Sequence, residues 1–299
     1  MAADSTSICF VGSDNFPVLN PDYGIAYIGG ESVQQTLLAK AFSKLDFNVS
    51  MVVNDLGQQD GIEIDNIRVW KTFKPRAGLP IFRFIHPRAT STWHALIHAD
   101  ADIYYQSCAG MQTGLVALFC KMHERKLVFR IAHDTDCIPG KELIRFERDR
   151  KIYRYGLRNA DLVVAQSEQQ KELLREHYGI DAPVVNMAVE LPESDSGERD
   201  IDVLWVNNIR EFKRPDRLVE FARKNRDLRI VMIGGPCDGS ESLYERVMAE
   251  SSQLDNLEFK GFVPYHEVNA YYRRAKVFVN TSVTEGFPNS FLQSWIRGT

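Results

Sequence analysis

The sequence predicts an α/β protein made of two consecutive doubly wound units, each an open, largely parallel sheet covered by helices. Three observations carry that expectation. Short β-type runs alternate with helical runs almost throughout. The alternation pauses at Leu191-Pro-Glu-Ser-Asp-Ser-Gly-Glu-Arg-Asp200, which has no apolar residue between Pro192 and Asp200. It then restarts. The expected boundaries are a first domain over 1–190, a linker over 191–200 and a second domain over 201–299, and a chain of 299 residues suits two domains. In such sheets ligands bind beyond the carboxyl ends of the strands, and domain interfaces favour clefts, so a cleft between the units is expected to hold the site.

In the first domain Ser7–Val11 and Asn48–Val53 read as strands, followed by 102–106, 127–132, 162–165 and 184–186. Residues 32–45 carry Val33, Leu37, Leu38, Ala41 and Leu45 at helical spacing. Helices are also expected over 111–123, 141–158 and 168–178. Beyond the linker, 202–206, 229–233, 257–260 and 276–280 are strand-like. Helical segments at Pro215–Lys224, 240–254 and Tyr265–Arg274 separate them, and another helix opens at Pro288 and runs to Arg297.

Hydrophobic residues at 44% and charged residues at 25% exclude disorder and fibrous architecture. No apolar run approaches the ~18 residues of a membrane-spanning helix. The start, Met1-Ala2-Ala3-Asp4, lacks the cationic region of a signal peptide, which places the chain in the cytoplasm. A net charge of −4 and a pI near 6.0 give no reason to expect nucleic acid. The five cysteines are odd in number, scattered and without a CxxC pair, so buried thiols are expected rather than disulfides or a zinc site.

Three segments could carry chemistry. Gly29-Gly30-Glu31-Ser32-Val33-Gln34-Gln35 places two glycines before an S-x-x-Q capping box, a helix start whose N–H groups can approach an anion. It is not the G-x-G-x-x-G fingerprint of nicotinamide dehydrogenases. Asn207-Asn208-Ile209-Arg210-Glu211-Phe212-Lys213-Arg214-Pro215 follows a strand and brings three cations to its carboxyl end, a pattern suited to phosphate. The third runs from Val277 through Glu285-Gly286-Phe287-Pro288-Asn289-Ser290 into the last helix, which carries Gln293. A carboxylate beside amide groups there could orient a hydroxyl-rich ligand.

At these segments the chain resembles the retaining glycosyltransferases of family 4 (glycosyl transferases group 1), which have the GT-B fold. Glu285-Gly-Phe-Pro288 is similar to the opening of their E-x7-E motif, Gly29-Gly30 to their N-terminal glycine loop, Ala160–Ser167 to the end of their first domain, and Leu204–Asp216 to their R/K phosphate motif. The resemblance implies transfer of a sugar from a nucleoside diphosphate sugar to an acceptor, with retention of configuration and no metal. By the same resemblance Glu285 would bind donor-sugar hydroxyls. Gly286, Phe287, Pro288, Asn289 and Ser290 would lie near the diphosphate, and Gly29 and Gly30 would approach it. Arg210 and Lys213 would neutralise charge on the leaving phosphate. Phe262 and Val263 would hold the base, Gln293 would meet the ribose, and His133 would stand near the reacting sugar. Two positions depart from the family pattern: Gln293 replaces the second Glu, and Asn208 occupies the usual arginine position, with Arg210 two residues later.

Asp134-Thr135-Asp136 is a D-x-D after a strand, the metal signature of the other large glycosyltransferase fold. The two-unit pattern and E-G-F-P argue instead for GT-B, so no cofactor and no metal are expected, with the nucleotide sugar as co-substrate. The acceptor class stays open among glycan, lipid and small molecule. Two alternatives from other classes remain: a nucleotide-sugar-binding protein without transferase activity, and a GT-B-like epimerase or phosphorylase.

Lys71–Ala99 has five Lys/Arg, no acid, and interleaved Phe73, Phe82, Phe84 and Trp93. It is a candidate for peripheral contact with the inner face of a membrane. Residues 141–158 carry seven Lys/Arg against three acids, and the bland reading of both segments is a solvated face. Only four strands are expected after the linker. The family continues further, so the second unit is expected to be incomplete.

Overall fold

A computed structural model describes residues 5–23, 28–80, 82–192, 197–283, 285 and 287–299. Contacts divide the chain into two units, Met1–Tyr23 with Glu31–Ala188, and Gly24–Gly30 with Val189–Thr299.

In the first unit the order is β1 (Ser7–Val11), α1 (Phe16–Leu19), α2 (Gly30–Ser43), β2 (Asn48–Val53), β3 (Ile62–Ile64), β4 (Ile67–Lys71), α3 (Thr90–Ala99), β5 (Ile103–Ser107), α4 (Met111–Met122), β6 (Lys126–Arg130), α5 (Glu147–Asn159), β7 (Leu162–Val164) and α6 (Glu168–Tyr178). Among the described residues the strands form one sheet of order β3-β4-β2-β1-β5-β6-β7, parallel except for the β3–β4 hairpin. Successive β1 side chains face opposite ways, as a strand requires. Cys9 and Val11 pack with α3 and α4 residues such as Leu96, Val116 and Phe119. Ile8 and Phe10 pack with Ala39 of α2 and with Met51 and Val53. A sheet buried on both faces explains why β1 and β2 read as continuous apolar runs rather than alternating ones.

The second unit runs β8 (Ile201–Val206), α7 (Pro215–Lys224), β9 (Ile230–Ile233), α8 (Glu241–Ser251), β10 (Leu257–Phe259), α9 (Tyr265–Arg274), β11 (Ala275–Phe278) and α10 (Asn289–Trp295). Its described strands form a parallel sheet of order β10-β9-β8-β11. Val203, Trp205, Ile230 and Met232 meet α7 and α8 on one face. Leu204, Val231 and Ile233 meet Val268 and Tyr272 of α9 on the other. Asp200 takes hydrogen bonds from Arg229 Nη1 (2.5 Å) and Arg274 Nε (2.7 Å), while Arg199 donates to the carbonyls of Ala275 (2.9 Å) and Arg297 (2.7 Å). The end of the expected linker is thus tied into the second sheet's surroundings.

Several elements differ from the sequence expectation. The helix expected over 141–158 begins only at Glu147, because Glu142 and Ile144 turn inward as an anchored loop before it. Val184 contributes an isolated bridge to Ala165 rather than a strand. The β3–β4 hairpin was not anticipated, although Asp65-Asn66 between the two strands takes φ of 53° and 60°, the left-handed pair of a tight two-residue turn. Trp93 packs edge-on to Phe119, so it belongs to the interior rather than to the basic surface of 71–99. Four cysteines are buried as expected and Cys108 is exposed. No helix among the described residues is long and apolar enough to cross a membrane.

Candidate active site

In the second unit the chain steps from β8 outward through β9 to β10 and then returns to place β11 on the other side of β8. The carboxyl ends of β8 and β11 therefore bound a topological switch point, where loops diverge and a ligand can enter between them. The loop after β8 carries Lys213 and the loop after β11 carries Glu285. Lys213 Nζ lies 2.5 Å from Glu285 Oε1, and both side chains are largely shielded, at 14% and 21% exposure. Glu285 Oε1 also accepts from Ser282 Oγ (2.6 Å) and Asn280 Nδ2 (3.1 Å). Burial opposes ionisation of Glu285, but the Lys213 bond and those two donors outweigh it and hold the carboxyl below its ordinary value.

Thr281 fixes the register of the two loops. Its hydroxyl donates to Lys213 O (2.7 Å) and receives Trp205 Nε1–H from β8 (2.9 Å), while Val283 N–H donates to Phe212 O (2.8 Å). The cation and carboxylate are thus positioned by backbone ties rather than by two long side chains finding each other. Asn280, Thr281 and Ser282 were not singled out from the sequence; the signal was a run of short polar residues at the end of a strand that faces a switch point.

The other residues expected in this unit lie in the loops after β8 and β10, in and before α10, and around residues 28–30. Arg210 is exposed, three residues before Lys213, and Lys213 N–H donates to its carbonyl (3.0 Å). Arg214, the third cation of this segment, sits in left-handed backbone at φ 51° and is held by Asp216 (Nη2 to Oδ2, 2.7 Å). Phe262 and Val263 are half-buried in the loop after β10, which also touches β9 through Gly234 N–H to Gly261 O (2.8 Å). Phe287 is half-exposed against Trp295, with centroids 6.0 Å apart; Pro288 precedes α10, and Ser290 is buried. Gln293 bonds to Asn269 of α9 (3.4 Å) and not to Lys213 or Glu285. Gly286 lies outside the described residues. Two bonds tie residues 28–30 to the rest of this unit: Asn208 Nδ2 to Ile28 O (2.9 Å) and Asn289 Nδ2 to Gly30 O (2.6 Å). Gly29 lies between these two contacts.

In the first unit the corresponding switch point lies between β1 and β5. A polar network occupies it. Ser107 Oγ, at the end of β5, donates to Glu31 Oε1 (2.8 Å). Gln35 Nε2 donates to Glu31 and to Ser107 Oγ (3.2 Å), and its Oε1 receives Asn15 Nδ2 (2.9 Å). The S-x-x-Q capping box is therefore corrected: α2 starts at Gly30, Ser32 lies inside its first turn, and Gln35 serves this network instead. Burial raises the Glu31 carboxyl to about 7, with Asp14 adding to the effect and the Ser107 and Gln35 bonds opposing it.

His133 follows β6 as the cap of a short turn over Asp134–Cys137. Its Nδ1 accepts Thr135 N–H (3.3 Å), and its own N–H donates to Asp136 Oδ2 (3.1 Å). A backbone donor requires Nδ1 to be unprotonated, so the neutral ring carries its hydrogen on Nε2. Both D-x-D carboxylates have partners in the fold, Asp136 in this cap and Asp134 as acceptor from Gln170 Nε2 (3.0 Å). Burial raises Asp136 to about 7. Among the described residues no three His, Cys, Asp or Glu side chains gather as a metal site.

The whole chain is similar in fold to HepE of Anabaena, solved with UDP and glucose (TM-score 0.67, 14% identity, 98% of this chain and 79% of that one). It is similar also to the pneumococcal O-GlcNAc transferase GtfA, solved with UDP and GlcNAc (0.64, 12%, 99% and 83%). A Listeria monocytogenes protein assigned as a UDP-N-acetylglucosamine 2-epimerase shares the fold as well (0.60, 10%, 92% and 74%). No curated protein matches the sequence. Two parallel α/β units of this kind define the GT-B class. Residues 28–189, more than half of the chain, match Glycosyltransferase Family 4, and residues 186–299 match the family described as Glycosyl transferases group 1. The chain belongs to Glycosyltransferase Family 4 and is a glycosyltransferase.

Proposed function

We propose that the chain transfers a sugar from a nucleoside diphosphate sugar to an acceptor hydroxyl with retention of configuration and without a metal. The observation that carries this reading is the Lys213–Glu285 pair at the switch point of the second unit, in a chain of this family. As the bond between sugar and diphosphate breaks, negative charge grows on the leaving phosphate. Lys213 is the cation fixed at the end of β8 to meet it, with Arg210 three residues earlier as a second. Glu285, kept ionised by Lys213, accepts hydrogen bonds from donor-sugar hydroxyls. Phe262 and Val263 contact the base, and Gln293 the ribose. Gly29, Gly30 and Phe287–Ser290 form the neighbourhood of the diphosphate.

His133, with hydrogen on Nε2, acts as a hydrogen-bond donor toward the reacting sugar rather than as a proton acceptor. The metal-free reading is supported by the engagement of Asp136 within its own turn and of Asp134 by Gln170 of α6. Two of the similar structures named above hold UDP, so UDP-sugars are the first donors to screen. The test is such a screen with the anomeric configuration of the product read by NMR, with and without a chelator. A retained product, resistant to the chelator and lost in Lys213→Ala and Glu285→Gln, is expected. An inverted product would overturn the stereochemical reading, and inhibition by the chelator the metal-free one. Interconversion of the free donor without an acceptor would identify an epimerase, and saturable binding without turnover a binding protein.

A further inference from the structure

Away from both switch points, the first unit displays a surface that the glycosyltransferase reading does not use. Leu79, Phe82 and Ile85 are 70%, 63% and 59% exposed, and Leu143 and Phe146 are 77% and 52% exposed. The first three sit in one compact turn, closed by Phe82 N–H to Leu79 O (3.0 Å) and Ile85 N–H to Phe82 O (2.9 Å). The other two belong to the loop before α5, whose alternate residues are anchored. Glu142 is buried and takes two bonds from Arg154 (2.6 and 3.1 Å), while Ile144 is buried and its carbonyl receives Arg150 Nε (2.9 Å). With Glu142 and Ile144 fixed inward, Lys141, Leu143 and Arg145 are displayed outward. They are not apolar residues in search of a core.

Arg148 joins the turn and the loop. Its guanidinium lies 3.6 Å from the Phe84 ring centroid and 6.0 Å from that of Phe146, and Arg145 stands 5.3 Å from Phe146. Charge is concentrated here as well. Residues 71–99 and 141–158 together hold twelve Lys/Arg and three acids, in a chain whose net charge is −4. The three acids each meet an arginine: Glu142 with Arg154, Glu147 with Arg150, Asp149 with Arg148. Lys74, Arg76, Lys141, Arg145 and Lys151 are exposed beside the apolar group.

We propose that this surface, residues 74–80 and 82–85 with 141–151, docks on an anionic lipid bilayer. Leu79, Phe82, Ile85, Leu143 and Phe146 enter the headgroup region, and the surrounding lysines and arginines meet lipid phosphates. Cations alone would suit a soluble polyanion, and apolar side chains alone a protein partner. Large apolar groups beside an excess of positive charge, on a compact turn and an anchored loop, match the one surface that is both anionic and apolar a few ångströms deeper.

The test is co-sedimentation of the full chain with vesicles of phosphatidylglycerol and phosphatidylcholine, against phosphatidylcholine alone. Binding to the anionic vesicles is expected to exceed neutral binding by about tenfold or more, and to weaken as salt shortens the screening length. Leu143→Ser with Phe146→Ser, and separately Arg145→Glu with Lys151→Glu, are expected to abolish most of it with unchanged circular dichroism. Phe221→Ser with Lys224→Glu, on α7 of the second unit, should bind as the parent does. Absence of parent binding at low salt, equal binding to neutral vesicles, or patch variants that still sediment would each overturn the proposal. A soluble polyanion whose binding depends on Arg145 and Lys151, together with vesicle binding indifferent to the apolar substitutions, would overturn it in favour of that ligand. The readout needs no sugar transfer, so it stands or falls apart from the catalytic reading.

Discussion

Lys213 and Glu285 are bound to each other, so removing one rewrites the chemistry of the other. The Glu285 carboxyl is depressed by Lys213, Ser282 and Asn280 against the opposing effect of burial. A depressed carboxyl contributes stability and function above its ordinary pKa and loses them as pH falls through its lowered value. In Lys213→Ala the burial effect is left with only two neutral donors, so the acid limb of the pH–rate profile should move to higher pH. Turnover should also drop on the order of 10² to 10³, the usual loss for one charge-stabilising donor. A pH–rate profile of both proteins checks the two effects, and an unmoved acid limb would disconnect Glu285 from Lys213. Asp136 shows the opposite sign. Its carboxyl is raised to about 7 by burial, so the folded state holds a proton that the unfolded state releases near its ordinary value, and stability falls as pH rises between the two. Asp136→Asn keeps an acceptor for His133 N–H and removes that titration. Its denaturant midpoint should vary less between about pH 5 and 8 than the parent's; an unchanged slope would sink the assignment.

In the first unit α4 and α5 approach backbone to backbone. A Cβ built on Gly114 would lie 2.2 Å from Ile152 O, and one on Gly156 2.6 Å from Gly114 N. Two backbones touch there, and neither can retreat as a side chain would. Gly156→Ala should cost about 1–3 kcal/mol, measured as a lowered urea midpoint, whereas Gly197→Ala, with open space around its Cβ, should leave it unchanged. A tolerated Gly156→Ala would show that the helices can slide apart. The pair also shows where sequence reading stops. Pro215–Lys224 and Tyr265–Arg274 were legible to the residue because Pro215 opens the first helix and each carries a clear apolar stripe. Lys213 and Glu285 were legible as motif residues, but what holds them was not. Thr281, Ser282 and Asn280 act through distances set by two strands that are far apart in sequence. The network of Glu31, Gln35, Ser107 and Asn15 was hidden for the same reason, and Gln35 looked like a local cap because only local partners are visible in a sequence. Residues 141–146 read as helix by composition, yet the buried Glu142–Arg154 pair fixes them as a loop.

At the scale of the molecule, each unit places its polar network at the point where its strand order reverses, although the two networks share no residue pattern. One is built on a lysine and an ionised carboxylate, the other on a carboxyl that burial keeps near neutrality. This asymmetry predicts where a nucleoside diphosphate goes. Phosphate needs cations, and the second unit supplies Lys213 with Arg210 on one loop. The first offers Glu31 with Asp14 beside it, a poor neighbour for an anion. Hydrogen exchange with UDP at about a hundred times its dissociation constant, a linkage worth about 2.7 kcal/mol, should therefore slow amides in 207–214 and around Val263 and Ser282. Amides in β1, β5 and the start of α2 should be slowed much less until an acceptor is added. Protection confined to Glu31, Ser107 and their neighbours would reverse the assignment of donor to the second unit. It would also leave the Lys213–Glu285 pair as a structural tie between two loops rather than the site of charge stabilisation.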